Sequence, residues 1–297
     1  RILPEEGEAT PSPDLAEGGP QAWVDALDHP NMRWRLTAQR LIVDRGVPGE
    51  WSDADLRDAL LAHLESETTD ALGLDPGAFH AVWTLEGLGL LEGREEGGDP
   101  EAIRAVLDAV HHPSAGVRRA ALRALPRTAA LRDSLMATGL LPPPPPRAEG
   151  EEVSYARDPS WSDAADPKVR LDLFLALSEM PASEEVGRSI FTMLQAPDTR
   201  SDSLLVSAAA VAGARHRAGF MEAVLDPDFR WIEEGELEGS VARAVRLVAG
   251  QVAAEGSDAE VRAALAGIGD APASMTGAVL DGLLGGWPED RTLSETD

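Results

Sequence analysis

The chain has 297 residues, of which 52 are Asp or Glu and 26 are Lys or Arg, for a net charge of −26. The absence of cysteine excludes disulfide scaffolds, thiolate nucleophiles, iron–sulfur clusters, haem attached through CxxCH and Cys-ligated zinc. The acid excess repels a nucleic-acid backbone, and no apolar run is long enough to span a membrane.

In chain order the elements are helical, with no convincing strand. Residues 1–19 read as a Pro-, Glu- and Gly-rich linker without the apolar core of a signal peptide, and the start at Arg1 is expected of a piece of something longer. Pro20–Asp28 and Asn31–Arg45 are apolar-periodic segments split by Asp28-His29-Pro30, because proline disfavours helix at the residue before it. Gly46 stops the second of them. Ser52 and Asp55 predict a capping box opening Asp53–Leu64. Asp75-Pro76 and Asp99-Pro100 each place an N-cap aspartate before a first-turn proline, the second opening Glu101–Val110. His112-Pro113 breaks the chain before Ser114–Leu125. Further helices are predicted around Asp166–Met180, Glu184–Leu194, Ser203–Ala214, Leu237–Ala254, Asp258–Ile268 and Pro272–Leu284.

This divides the chain into a helical block at 20–139, a Pro-rich insertion at 140–165, a second block at 166–287 and a tail at 288–297. The insertion carries Pro142–Pro146, a polyproline II rod that reads either as a surface excursion or as a docking site for an SH3-like domain.

A stripe recurs along the helices. Trp34, Ala38, Leu41 and Ile42 lie at i, i+4, i+7 and i+8, as do Val117, Ala121, Ala124 and Leu125, and then Val169, Leu173, Ala176 and Leu177. Val241, Val245, Val248 and Ala249 repeat it, and so do Val261, Leu265, Ile268 and Gly269. These offsets make one apolar face. In four of the five, arginine follows the first apolar residue: Arg35, Arg118, Arg170 and Arg262. Pro30, Pro76, Pro113 and Pro167 are 46, 37 and 54 residues apart. Stacked two-helix repeats have periods of about 40–47 residues. The expected fold is all-α, an α-solenoid of about six or seven antiparallel helix pairs.

The pattern Pro-x-x-x-Val/Trp-Arg-x-x-Ala-x-x-x-Leu at Pro30–Leu41 and Pro113–Leu125 resembles HEAT repeats. Asp28–Gly46, His80–Gly89, Asp166–Leu171 and Leu175–Met180 resemble more narrowly the HEAT region of large exported bacterial proteins, the PVC-type membrane-bound dehydrogenases. The resemblance covers Gln21–Met180 best. It implies a parent with a sorbosone-dehydrogenase-like propeller upstream, often a c-type cytochrome domain downstream, and a periplasmic or extracellular setting. This chain has neither propeller nor CxxCH, so no redox activity carries over to its residues.

Sites for chemistry are sparse. His29, His111 and His112 precede prolines at matching places, which suits turn hydrogen bonding or, less simply, a metal pair. His80 and Glu86 are six apart and do not share a helix face. His63 and His216 have no partner at ligand spacing. Glu233–Glu238 lacks the alternating order of a calcium loop. Trp34 and Trp83 fall on apolar stripes, whereas Trp161, Trp231 and Trp287 suit loop anchors or surface contacts. No G-x-S-x-G element and no phosphate loop is present. The only locally basic stretch, Glu101–Gly150, has seven basic against four acidic residues.

The expected function is a non-catalytic scaffold for a protein partner or for neighbouring domains, without cofactor or metal. Its repeat positions are Trp34, Arg35, Val117, Arg118, Val169, Arg170, Val261 and Arg262, with the arginines pairing to acids of adjacent repeats. The alternative is a subunit or domain of a dehydrogenase-type enzyme whose groove binds a small substrate or cofactor. The charge points to a salt-tolerant source or to a merely acidic protein.

Overall fold

The computed structural model describes residues 11–45, 52–66, 68–92, 98–142, 166–226, 239–269, 271 and 273–294. All regular elements among these residues are helices, with no strand. The chain divides into two compact units, Arg1–Pro126 and Arg127–Asp297.

In the first unit α1 (Gly19–Asp25) ends in a 3-10 turn (Ala26–Asp28) and is followed by α2 (Met32–Arg45), α3 (Asp53–Glu65) and α4 (Pro76–Gly87). Next come α5 (Pro100–Asp108), a second 3-10 turn (Ala109–His111) and α6 (Ala115–Ala124). The starts are set by local chemistry. Ser52 Oγ accepts the Asp55 amide at 3.2 Å while the Asp55 carboxylate accepts the Ser52 amide at 2.8 Å, a reciprocal capping box. Asp75 and Asp99 cap α4 and α5 through their carboxylates, each with proline in the first turn. The helices alternate between two rows. α2, α4 and α6 pack side by side in one, and α1, α3 and α5 form the other. Leu27, Ile42, Leu60, Leu85, Val106 and Leu122 are buried between them.

The second unit contains α7 (Ala129–Ala137), α8 (Pro167–Glu179), α9 (Glu184–Leu194), the single turn α10 (Pro197–Arg200), α11 (Ser203–Arg215), α12 (Arg217–Leu225), α13 (Ser240–Glu255), α14 (Asp258–Gly267) and α15 (Ala273–Gly286). Here α8, α11, α13 and α15 pack in succession, and α9, α12 and α14 follow one another alongside. Phe174, Phe191 and Phe220 are fully buried, the last two edge to face with centroids 5.1 Å apart. Two helix contacts close on glycine. A Cβ on Gly219 of α12 would stand 1.8 Å from the Glu184 carbonyl oxygen at the start of α9. One on Gly286 of α15 would stand 2.1 Å from the Gly250 carbonyl oxygen of α13. Only a residue without a side chain permits backbones that close.

Several expectations need correction. α7, α10 and α12 carry no clear sequence signal. α12 buries Gly219 and Ala223 as well as Phe220, Met221, Val224 and Leu225, most of its circumference, so it shows no narrow stripe. Trp34 and Leu41 are half-buried, because the buried face of α2 centres on Ala38 and Ile42. Leu265 is 46% exposed and Ala264 takes the buried position of α14 beside Val261. Part of the expected linker is fastened: Trp23 Nε1 donates to the Leu15 carbonyl at 2.9 Å, and His29 Nε2 to that of Pro11 at 3.0 Å. The tail is fastened as well. Arg291 donates to the carbonyls of Ala253 and Gly256 at the end of α13, and its guanidinium lies 5.4 Å from the Trp287 ring centre. The break between the compact units falls after Pro126. Pro143–Pro146, Trp161, Trp231 and Glu233–Glu238 lie outside the described residues.

Candidate functional site

The feature that repeats in three dimensions is a turn held by histidine and arginine. In the first copy Arg35 Nη1 donates to the carbonyls of His29 at 2.7 Å and Pro30 at 3.1 Å. In the second, Arg118 Nη1 donates to those of His112 at 2.7 Å and Pro113 at 2.9 Å. Arginine five residues after the turn proline lies one helical turn in, and its side chain reaches back to carbonyls that the turn leaves unpaired. The histidine closes the same turn from the other side. His29 Nδ1 accepts the Asn31 amide at 2.9 Å, and His112 Nδ1 accepts that of Ser114 at 3.0 Å.

An accepting Nδ1 places the ring proton on Nε2. In His29 that nitrogen donates to Pro11. In His112 it faces Asp75 Oδ2 at 3.5 Å, both side chains buried, and so ties the turn before α6 to the aspartate that caps α4. His216 works alike in the second unit, accepting from the Ser183 amide and donating to the Leu177 carbonyl, each at 2.9 Å. Burial pushes its pKa down, keeping the ring neutral.

The four stripe arginines therefore do not act alike. Arg35 and Arg118 hold their own turns and not acids of adjacent repeats. Arg170 follows Pro167 by three residues instead of five, which removes the turn geometry, and its buried guanidinium donates to Thr199 Oγ1 at 2.8 Å. Arg262 donates to the Ser294 carbonyl. Val117, Val169 and Val261 are fully buried beside their arginines.

Acid pairing between neighbouring helices falls to other arginines, in the row formed by the first helices. Arg57 of α3 reaches Asp99 at 3.0 Å and Glu101 at 2.9 Å at the start of α5. Arg188 of α9 reaches Glu222 of α12 at 2.6 Å, and Arg217 of α12 reaches Glu260 of α14 at 3.0 Å. Burial opposes the Glu260 charge, but hydrogen bonds from Ser257 and Arg217 outweigh it and hold the pKa below its ordinary value. Sequence spacing gave no hint of these pairs, whose partners are 34 to 44 residues apart.

His80 is a strongly perturbed histidine with a side-chain partner. It is buried on α4, and its Nδ1 lies 2.7 Å from Gln39 Oε1 of α2. Burial, with the Arg35 guanidinium nearby, lowers its pKa to about 4. Glu86 is exposed and is not brought to it. His63 Nε2 lies 3.2 Å from the Val24 carbonyl. Among the described residues no three His, Asp or Glu side chains converge as metal ligands, and His111 is exposed whereas His112 is buried. What the arrangement does chemically is to fix turns and join successive helices.

No protein-family model, curated protein or solved structure matches the chain. No helix among the described residues is long and apolar enough to cross a membrane.

Proposed function

We propose that the chain is a non-catalytic scaffold, an α-solenoid of HEAT-like helix pairs that holds a protein partner or neighbouring domains of its own polypeptide. The observation that carries this reading is the repeated clasp. The same His-Pro turn, closed by the same backbone bonds and the same arginine five residues on, precedes α2 and α6. The alternation of helices between two rows within each unit supports it. With α10 counted as part of a connection, five successive pairs pack together: α1 with α2, α3 with α4, α5 with α6, α9 with α11 and α12 with α13. Such stacks present extended surfaces whose specificity lies in exposed side chains. The charged and imidazole groups described above are engaged in holding backbone and neighbouring helices, which leaves binding rather than turnover as the use of the molecule. By the resemblance to PVC-type dehydrogenases, the parent is an exported bacterial protein in which this region spaces other domains.

Small-angle X-ray scattering tests the architecture. A compact chain of this length has a radius of gyration of about 19 Å. The solenoid reading requires a clearly larger value and an elongated pair-distance function, and a compact profile overturns it. Dye-linked dehydrogenase assays of the purified chain over alcohols and aldehydes are expected to show no turnover. Reproducible turnover would establish the enzyme-subunit alternative instead.

A further inference from the structure

The first unit is electrically divided between its rows. The sequences of α2, α4 and α6 contain seven arginines against two acids, a balance of +5. Those of α1, α3 and α5 contain two arginines against seven acids, a balance of −5. In a chain of net charge −26 a surplus of arginine on one row is a local exception. The turns use Arg35 and Arg118, which leaves Arg33 and Arg40 as the exposed arginines of α2 whose side chains are described. Arg33 is exposed, and its guanidinium has no hydrogen bond or ion pair among the described residues. Arg40 pairs only within its own helix, with Asp44 at 3.2 Å, and both side chains are well exposed.

Apolar side chains stand among these charges. Met32 is 59% exposed and Leu36 47%, and Phe79 on neighbouring α4 is also exposed. A groove of about 570 Å³ runs along this face of α2, lined by Met32, Arg33, Leu36, Thr37, Arg40 and Leu41. Exposed aliphatic groups beside the unpaired Arg33 guanidinium and an Arg40 that shares its charge with Asp44 complement a surface that is apolar along one stripe and acidic on its flanks. The aliphatic lining has nothing to offer a phosphodiester backbone, and the net charge of the chain opposes one.

We infer that the outward face of α2 is a docking surface for an acidic amphipathic helix of a protein partner. This rests on the scaffold reading and names its partner chemistry. The apolar stripe of the partner covers Met32 and Leu36, and its carboxylates pair with Arg33 and Arg40.

The test uses the full chain and a fluorescently labelled 18-residue peptide of alternating Glu/Leu helical pattern, followed by anisotropy at low and high salt. An oligoglutamate of equal length and a single-stranded oligodeoxynucleotide serve as comparison probes. The Glu/Leu peptide is expected to bind despite the like net charge of the chain. Binding should weaken about tenfold or more in R33E/R40E and in M32S/L36S, and should weaken with salt. R243E, an exposed charge reversal on α13, should leave it unchanged, and circular dichroism confirms that each variant is folded. Failure of the peptide to bind, binding that both double variants leave intact, or equal binding of oligoglutamate or DNA overturns the proposal. If the peptide instead binds and cross-links to the second unit, this surface is wrong while the scaffold reading stands.

Discussion

Arg118 Nη1 stands 2.7 Å from the carbonyl oxygen of His112, the distance at which Arg35 meets the carbonyl of His29. Each arginine reaches back over a proline turn to oxygens that neither helix can pair. The price of losing that donor is an unsatisfied carbonyl at a nearly closed turn, which is the more costly way to lose a hydrogen bond.

Arg118→Met keeps the aliphatic stem and removes the donor, so it isolates this contribution. The variant is predicted to lose about 1–3 kcal/mol of stability. Denaturant unfolding of wild type and variant checks it, and an unchanged midpoint would show that water serves the two carbonyls equally well.

Leu125, at stripe offset i+8 just after α6, is 2% exposed, whereas Leu265, at offset i+4 in α14, is 46% exposed. Leu125→Ala is predicted to cost about 2–5 kcal/mol through lost burial and a residual cavity. Leu265→Ala is predicted to stay within about 0.5 kcal/mol of wild type. Thermal melts of the two variants, side by side, distinguish an inward from an outward stripe position.

His80 is neutral when folded, with a pKa near 4 against an ordinary value of 6.5. The unfolded chain therefore takes up this proton first as the pH falls. The contribution of His80 is fully present above about pH 6.5 and is lost as the pH falls toward 4, with a ceiling of roughly 3 kcal/mol. His80→Gln keeps a partner for Gln39 and does not titrate. Its stability is predicted to fall less than that of wild type between these pH values. Parallel curves for the two proteins would assign the acid sensitivity to other groups, His216 first among them.

The net charge of −26 predicts that salt stabilises the fold, by screening repulsion among exposed carboxylates. Melting temperature is expected to rise from about 20 mM to about 1 M NaCl, where the Debye length is near 3 Å. An unchanged or lower midpoint at high salt would mean that the interhelical pairs, such as Arg57 with Asp99, lose more to screening than the carboxylate surface gains.

Local signals in the sequence determine most helix starts. Ser52 with Asp55, Asp75-Pro76, Asp99-Pro100 and Asp166-Pro167 place caps and first-turn prolines at the observed positions, because capping needs only atoms within three residues of one another. The all-helical class follows from the same punctuation and from the stripe, which marks the buried Val117, Val169 and Val261. The sequence by itself does not mark α12, since a helix buried on several sides has no polar face to give it a period. Nor does it show which face of α14 turns inward, so that Leu265 is exposed and Ala264 is not. The roles of the arginines are decided only by tertiary structure. A proline five residues upstream sends Arg35 and Arg118 to their own turns, one three residues upstream leaves Arg170 for Thr199, and Arg57, Arg188 and Arg217 find their acids on the next helix of the row. Caps and stripes are written in neighbouring residues, whereas these ion pairs depend on helices being set side by side, which no local spacing encodes.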